Sequence, residues 1–211
     1  MSVKKRDNPS VSCWIRRFSH LAPAGGCVLD LAAGGGRHSA WFLGGGHPVT
    51  AVDRAVDGLE LLKAAHDADA RPRLEIIEAD LEDGSPWPLA ERRFDAVIVV
   101  NYLHRPLFPH LVAALAPGGV LLYDTFAVGQ EAFGRPSNPD FLLKPGELLD
   151  VVRDHLQIIA YEHGLIDGAS GLRSNNASQP LSAKRRRHFR DLDGERARRT
   201  VAFPHHPLRK G

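Results

Sequence analysis

The sequence predicts a doubly wound α/β domain, a mostly parallel sheet with helices on both faces. Short apolar runs alternate with amphipathic stretches between Gly26 and Gly168. The runs are rich in Val, Ile and Leu along their whole length, as strands buried on both faces require. Three glycines sit where the first run meets the next amphipathic stretch. Strands are expected at Cys27 to Leu31, Val49 to Val52, Arg73 to Ile77, Phe94 to Val100 and Val120 to Phe126, with a sixth at Leu156 to Tyr161. Helices are expected at His38 to Leu43, Gly58 to His66, briefly after Trp87, at Pro109 to Leu115 and at Gly146 to His155. Gly118 and Gly119 are expected to end the helix before them. Ahead of the sheet, Ser10 can cap a helix in which Val11, Trp14, Ile15 and Phe18 share one face. It is expected to lie across the sheet edge as a clasp.

Composition narrows the class. Hydrophobic residues make up 43% and charged residues 25% of 211, with 20 Gly and 15 Pro, which excludes collagen, coiled coil and wholesale disorder. No apolar run nears the roughly 18 residues of a membrane span, and Met1 to His20 hold no apolar block of signal-peptide length. A cytoplasmic protein with no membrane partner is expected. Cys13 and Cys27 form no metal or disulfide framework, and Cys27 is expected to pack as a small hydrophobe. His205-His206 has no carboxylate or thiolate beside it, so no metal is implied.

The net charge of +2 conceals an asymmetry: residues 169–211 hold 11 basic and 3 acidic side chains, leaving an acidic remainder. The expected organisation is a domain over residues 1–168 and a basic, poorly ordered tail over 169–211. Asn175, Asn176, Ser178 and Pro180, followed by Lys184 to Arg187, look too polar and too charged to bury. A seventh strand is therefore left open: either Thr200 to Phe203 supplies it after a long excursion, or it is missing.

The stretch Val28-Leu29-Asp30-Leu31-Ala32-Ala33-Gly34-Gly35-Gly36-Arg37-His38 puts its glycines at the carboxyl edge of the sheet, where open α/β sheets bind ligands. Without Cβ atoms the backbone can touch a ligand directly. Alone, the cluster is equally a tight turn that strand-to-helix packing needs. Asp53 ends the second strand, 17 residues after Gly36, where a carboxylate can accept both hydroxyls of an adenosine ribose. Asp80, in Glu78-Ala79-Asp80-Leu81, either meets an adenine amino group or caps the following turn.

These residues resemble the class I S-adenosylmethionine-dependent methyltransferases, a seven-stranded Rossmann-like family. Leu29 to His38 match its first motif, with Ala32 where the first glycine often stands. Asp53 matches the ribose acid, Asp80-Leu81 the adenine pair, and Phe94 to Asn101 the fourth-strand motif. Gly-Gly-Arg-His before a Trp-containing helix is most similar to the tellurite-resistance-type small methyltransferases. The resemblance implies S-adenosyl-L-methionine as cofactor, bound by Asp30, Ala32, Gly34, Gly36, Arg37, Asp53, Arg54, Asp80, Leu81 and Asn101. Asp30 would serve the cofactor ammonium. Arg37 would meet its carboxylate if turned inward, or else face solvent.

Methyl transfer is an in-line displacement, so positioning is the protein's main task. After the fourth strand, Tyr102 and His104 are the catalytic candidates: His104 as a base near neutrality or a structural hydrogen-bonder, Tyr102 orienting the acceptor or lying against the sulfonium. Ala127 to Lys144 are placed to cover the pocket, with Asn138-Pro139 as an ordinary turn. The expected function is methylation of a small-molecule acceptor. Alternatives are an RNA methyltransferase using the basic tail as a phosphate-contacting arm, less favoured because the body is acidic, and a non-catalytic cofactor-binding regulator. A nicotinamide oxidoreductase is a distant further reading. Oligomeric state is not legible.

Overall fold

The computed structural model describes residues 11–66, 73–165 and 172–180. The strands are β1 (Val28–Leu31), β2 (Val49–Asp53), β3 (Leu74–Glu78), β4 (Phe94–Val100), β5 (Leu115–Phe126), β6 (Leu156–Leu165) and β7 (Leu172–Pro180). They form one sheet in the order β3-β2-β1-β4-β5-β7-β6. The first five are parallel, and β7 runs antiparallel to both β5 and β6. The helices are α1 (Cys13–Phe18), α2 (Arg37–Gly44), α3 (Asp57–His66), α4 (Phe108–Ala113) and α5 (Glu147–Val152).

Alternation along the strands splits the core into two layers. Leu29, Val97, Val99, Leu121 and Tyr123 face Phe108 and Leu111 of α4 and Leu148 and Val152 of α5. Val28, Ala51, Ile98, Val120 and Leu122 face Phe42 of α2, Leu59 of α3 and Trp14, Ile15 and Phe18 of α1. β1 lies between β2 and β4, with Asp30 beside Ala51 on one side and Ile98 on the other. The loops leaving β1 and β4 therefore diverge over a crevice at the carboxyl edge.

The structure corrects several expectations. The seventh strand is present, and it is Leu172–Pro180 rather than Thr200 to Phe203, which lies outside the described residues together with the rest of 181–211 and His205-His206. The polar stretch does bury: Ser174, Asn175, Asn176 and Ser178 are all at most 3% exposed. The ladders to β5 and β6 make this a central strand, and its side chains are covered because α1 and α5 pack on it. The sheet thus extends past the expected boundary at residue 168, in one compact unit running to Pro180.

Ser10 lies outside the described residues; the cap of α1 is Ser12, whose hydroxyl accepts the N–H groups of Trp14 and Ile15 at 3.1 and 3.4 Å. The helix packs on a sheet face, not along an edge, and its Trp14 indole donates to the Asn176 carbonyl at 3.1 Å. Residues after Trp87 turn without forming a helix, around Ala90 at φ 44°. α4 stops at Ala113, and Gly118 and Gly119 belong to β5. A Cβ on Gly119 would stand 2.9 Å from the Phe94 carbonyl, so this glycine serves the close approach of β4 where the register shifts. Cys27 is exposed rather than packed inside, and both cysteines are free.

Candidate active site

The turn after β1 is built from conformations that demand small residues. Ala32, Gly34 and Gly36 have φ of 53°, 56° and 76°. Glycine adopts these at no steric cost, whereas Ala32 carries the strain of a left-handed residue with a Cβ, about 1 kcal/mol or more. Gly36 is doubly constrained, because a Cβ there would meet Leu59 and Leu62 of α3 at 2.8 Å. Gly34 and Gly35 have nothing within 4 Å where a Cβ would stand, so their backbone borders open space.

Asp53 locks this turn to the next loop. Its Oδ2 accepts the Gly34 N–H at 2.7 Å and its Oδ1 the Ala55 N–H at 2.9 Å. Asp30 lies beneath, 1% exposed, accepting the Ser39 hydroxyl at 2.7 Å. Burial pushes its carboxyl up to about 6, against the opposing pull of Ser39 and Arg37. Arg37 is half-buried and within electrostatic range of Asp124, Arg173 and Asp30. Burial lowers its guanidinium pKa, with Asp124 opposing.

The remaining expected residues gather on the β3 side. Arg54, Asp80, Leu81 and His104 line a crevice of about 1110 Å³ that also touches Trp87 and His110, whose rings stack at 5.0 Å. Asp80 accepts the Glu82 N–H at 2.9 Å and so does cap its turn, while also facing the crevice. Tyr102 packs against the apolar layer, its hydroxyl buried with no hydrogen-bond partner among the described residues. Burial, then the charges of Glu82 and Asp80, raise its pKa and keep the phenol neutral. Asn101 takes φ 57°, a conformation asparagine tolerates, and donates its N–H to the Asp124 carbonyl at 2.9 Å.

The structure thus groups the expected residues around the glycine turn (Asp30, Ala32, Gly34, Gly36, Arg37, Asp53) and along the β3-side crevice (Arg54, Asp80, Leu81, His104), with Tyr102 and Asn101 leaving β4. Sequence reasoning missed a third group. Asp124 on β5 accepts hydrogen bonds from the Ser12 hydroxyl and from Arg173 Nε at 2.8 Å. With its amide nitrogen turned inward, Asn175 donates to it at 2.7 Å. Both partners of the Asp124–Arg173 pair are more than nine-tenths buried, and the guanidinium lies 4.4 Å over the Phe126 ring. Next to Arg37, His38 is pushed down to about 3 by burial and by that arginine, and its neutral ring accepts the Ser12 N–H at 3.3 Å. The one sequence signal was an acid in the apolar run Val120 to Phe126; its partners come from the two ends of the described chain.

Asn138 behaves as the expected turn, its side chain accepting the Asp140 N–H at 3.0 Å. Among the described residues no helix is long and apolar enough to cross a membrane, and no group of three or more His, Cys, Asp or Glu could hold a metal ion.

Sheet order, the glycine turn and the acids within β1, at the end of β2 and just after β3 agree with the Rossmann-like architecture that the resemblance implies. Residues 28–119 match the family model described as a methyltransferase domain. Solved structures agree in fold. The chain is similar to the 1,6-didemethyltoxoflavin-N1-methyltransferase of Burkholderia thailandensis, solved with 1,6-didemethyltoxoflavin and S-adenosylhomocysteine bound: 20% identity, 80% of this chain and 76% of that one, TM-score 0.58. It is similar to a TehB-like SAM-dependent methyltransferase from Corynebacterium glutamicum at 18% identity, over 82% of this chain and 90% of that one, TM-score 0.59. TehB from Haemophilus influenzae aligns at 15% identity over 80% of this chain and 61% of that one, with a TM-score of 0.63. None of the curated proteins matches by sequence.

Proposed function

We propose that this chain transfers the methyl group of S-adenosylmethionine to a small-molecule acceptor by in-line displacement. The observation that carries this reading is Asp53: its carboxylate closes β2, holds the glycine turn through Gly34 and the next loop through Ala55, and keeps a lone pair on each oxygen for a ribose hydroxyl. The chain fits the cofactor in other respects. Gly34 and Gly35 leave their backbone open to close approach. Asp30, below the turn, gains from a cation placed above it, and Arg37, half-buried near Asp30 and Asp124, would pair with the cofactor carboxylate. Asp80, Leu81 and Arg54 stand where the adenine end would lie.

When bound, S-adenosylmethionine supplies the activated methyl group and a neutral thioether as leaving group. The protein's residues then have a positional task. Asn101 and Tyr102 shape the end of β4, the neutral Tyr102 phenol being suited to donate a hydrogen bond rather than to take a proton. His104 is the group able to accept a proton from an acceptor that carries one. The relative from Burkholderia thailandensis, an N-methyltransferase solved with a small heterocycle, supports a small acceptor here. The acidic balance of residues 1–168 disfavours nucleic acid. A cytoplasmic setting, with residues 181–211 as a basic extension, completes the proposal.

Calorimetry with S-adenosylhomocysteine and, separately, NAD tests it, followed by labelled methyl transfer to a panel of metabolites. Binding of the first and not the second is expected, with Asp53→Ala weakening S-adenosylhomocysteine about 100-fold, roughly 2.7 kcal/mol. Unchanged affinity in the variant would overturn the reading.

A further inference from the structure

Arg105 directly follows His104 and opens a short 3₁₀ turn, Arg105–Leu107. Its guanidinium crosses to the segment after β5 and makes four hydrogen bonds there. Nε and Nη2 meet the two Glu147 carboxylate oxygens at 2.6 and 3.1 Å. Nη2 also donates to the Leu142 carbonyl at 3.0 Å, and Nη1 to the Asp140 carbonyl at 2.7 Å. Glu147 accepts the Lys144 N–H as well, at 2.9 Å. Burial alone would raise the Glu147 carboxyl, but these donors outweigh it and hold the group below its usual range.

One planar side chain thus binds two strand-to-helix connections of the same sheet edge: the β4 exit with Tyr102 and His104, and the loop of residues 127–146. A pair with 37% and 17% of its side chains exposed adds little to global stability. Its effect is local, because one rigid guanidinium fork holds two carbonyls and a carboxylate at once, which a lysine ammonium cannot reproduce. The loop so held carries Val128, Phe133 and Phe141, which are 44%, 55% and 45% exposed. A loop pinned at Asp140, Leu142 and Glu147 presents those apolar groups in a set position.

We propose that Arg105 is a positioning residue for the methyl acceptor: it fixes the 127–146 loop against the β4 exit, so that the acceptor meets a preformed apolar wall. This rests on the methyltransferase reading above. The test uses the full chain, Arg105→Lys and Arg105→Ala, and two probes. Chymotrypsin reports the loop, since it cleaves after Phe133 and Phe141; S-adenosylhomocysteine reports the cofactor site. Both variants should keep S-adenosylhomocysteine affinity within about twofold and be cleaved in the loop about tenfold faster. For an acceptor found in the metabolite panel, KM should rise about tenfold with the cofactor KM unchanged. Wild-type cleavage and acceptor KM in Arg105→Lys would overturn the proposal, as would loss of S-adenosylhomocysteine binding in that variant, which would make Arg105 part of the cofactor site or of the fold. A wild-type chain that binds no S-adenosylhomocysteine overturns the methyltransferase reading instead.

Discussion

The two sides of the sheet solve burial in opposite ways. β1, β2 and β4 are Val-Leu-Asp-Leu, Val-Thr-Ala-Val-Asp and Phe-Asp-Ala-Val-Ile-Val-Val, and the transfer of such side chains from water contributes roughly 1.5–3 kcal/mol each. β7 is Leu-Arg-Ser-Asn-Asn-Ala-Ser-Gln-Pro, yet Ser174, Asn176 and Ser178 are 0% exposed. Composition predicts burial where a strand's own side chains drive it. Where a central position between two strands and under α1 and α5 imposes it, the polar groups must find partners inside. Arg173 and Asn175 find theirs in Asp124; the Asn176 amide and the Ser178 hydroxyl find none among the described residues.

Breaking that contrast at its centre should have the largest effect. Asp124→Ala strips Arg173, Asn175 and the Ser12 hydroxyl of their common acceptor and leaves a buried guanidinium unpaired, at a cost of about 3–5 kcal/mol. Urea unfolding measures it. Adding Arg173→Leu should restore about half of the loss or more, because an apolar pair needs no desolvated charge. If Asp124→Ala alone costs under about 1 kcal/mol, the polar side of the sheet is not held together by this hub.

The same contrast predicts a gain one residue along. Asn176 has low strand propensity and two unpaired buried amide atoms, so Asn176→Val should stabilise the chain by about 1–2 kcal/mol, seen as a higher Tm. A lower Tm would show that the amide is satisfied inside the protein.

What was legible in the sequence was local. Gly34, Gly36 and Asp53 act within one β-turn-α-β stretch, so spacing alone brings them together, and the hydrogen bond from Gly34 to Asp53 spans 19 residues. Even the departure at Ala32 has a local account, since its φ of 53° is why glycine suits that place better. The hidden part is long-range. Ser12 and Asp124 are 112 residues apart and Asp124 and Arg173 are 49 apart, with neither separation marked by any periodicity. Arg105 and Glu147 are 42 residues apart in the chain, and only the fold puts them 2.6 Å apart. β7 was missed because alternation and apolar content report the hydrophobic drive of a segment, and this strand is placed by its neighbours' hydrogen-bond ladders instead.

Asp30 and Asp124 are both buried acids on the same sheet face, but Asp124 meets a guanidinium, while the partner bonded to Asp30 is the Ser39 hydroxyl. That difference predicts a pH effect on stability of about 3 kcal/mol, at about 1.4 kcal/mol per pKa unit. Burial raises the Asp30 carboxyl to about 6 from 3.8. Between these values the native chain binds more protons than the unfolded one, so stability falls as pH rises through the window, and the penalty is complete above about 6. A ligand ammonium over the glycine turn favours the ionised form and reverses the sign for binding. S-adenosylhomocysteine affinity should therefore rise with pH from 5 towards 7, by at most about tenfold per unit below the Asp30 value. Asp30→Asn should remove the dependence and raise the stability of the unliganded chain at pH 8 by about 3 kcal/mol, because the buried charge is gone while the side chain keeps its shape. Calorimetry across that range and urea unfolding at pH 8 check the two halves. An affinity that stays flat between pH 5 and 7 in the wild-type chain would place the ligand's ammonium away from Asp30.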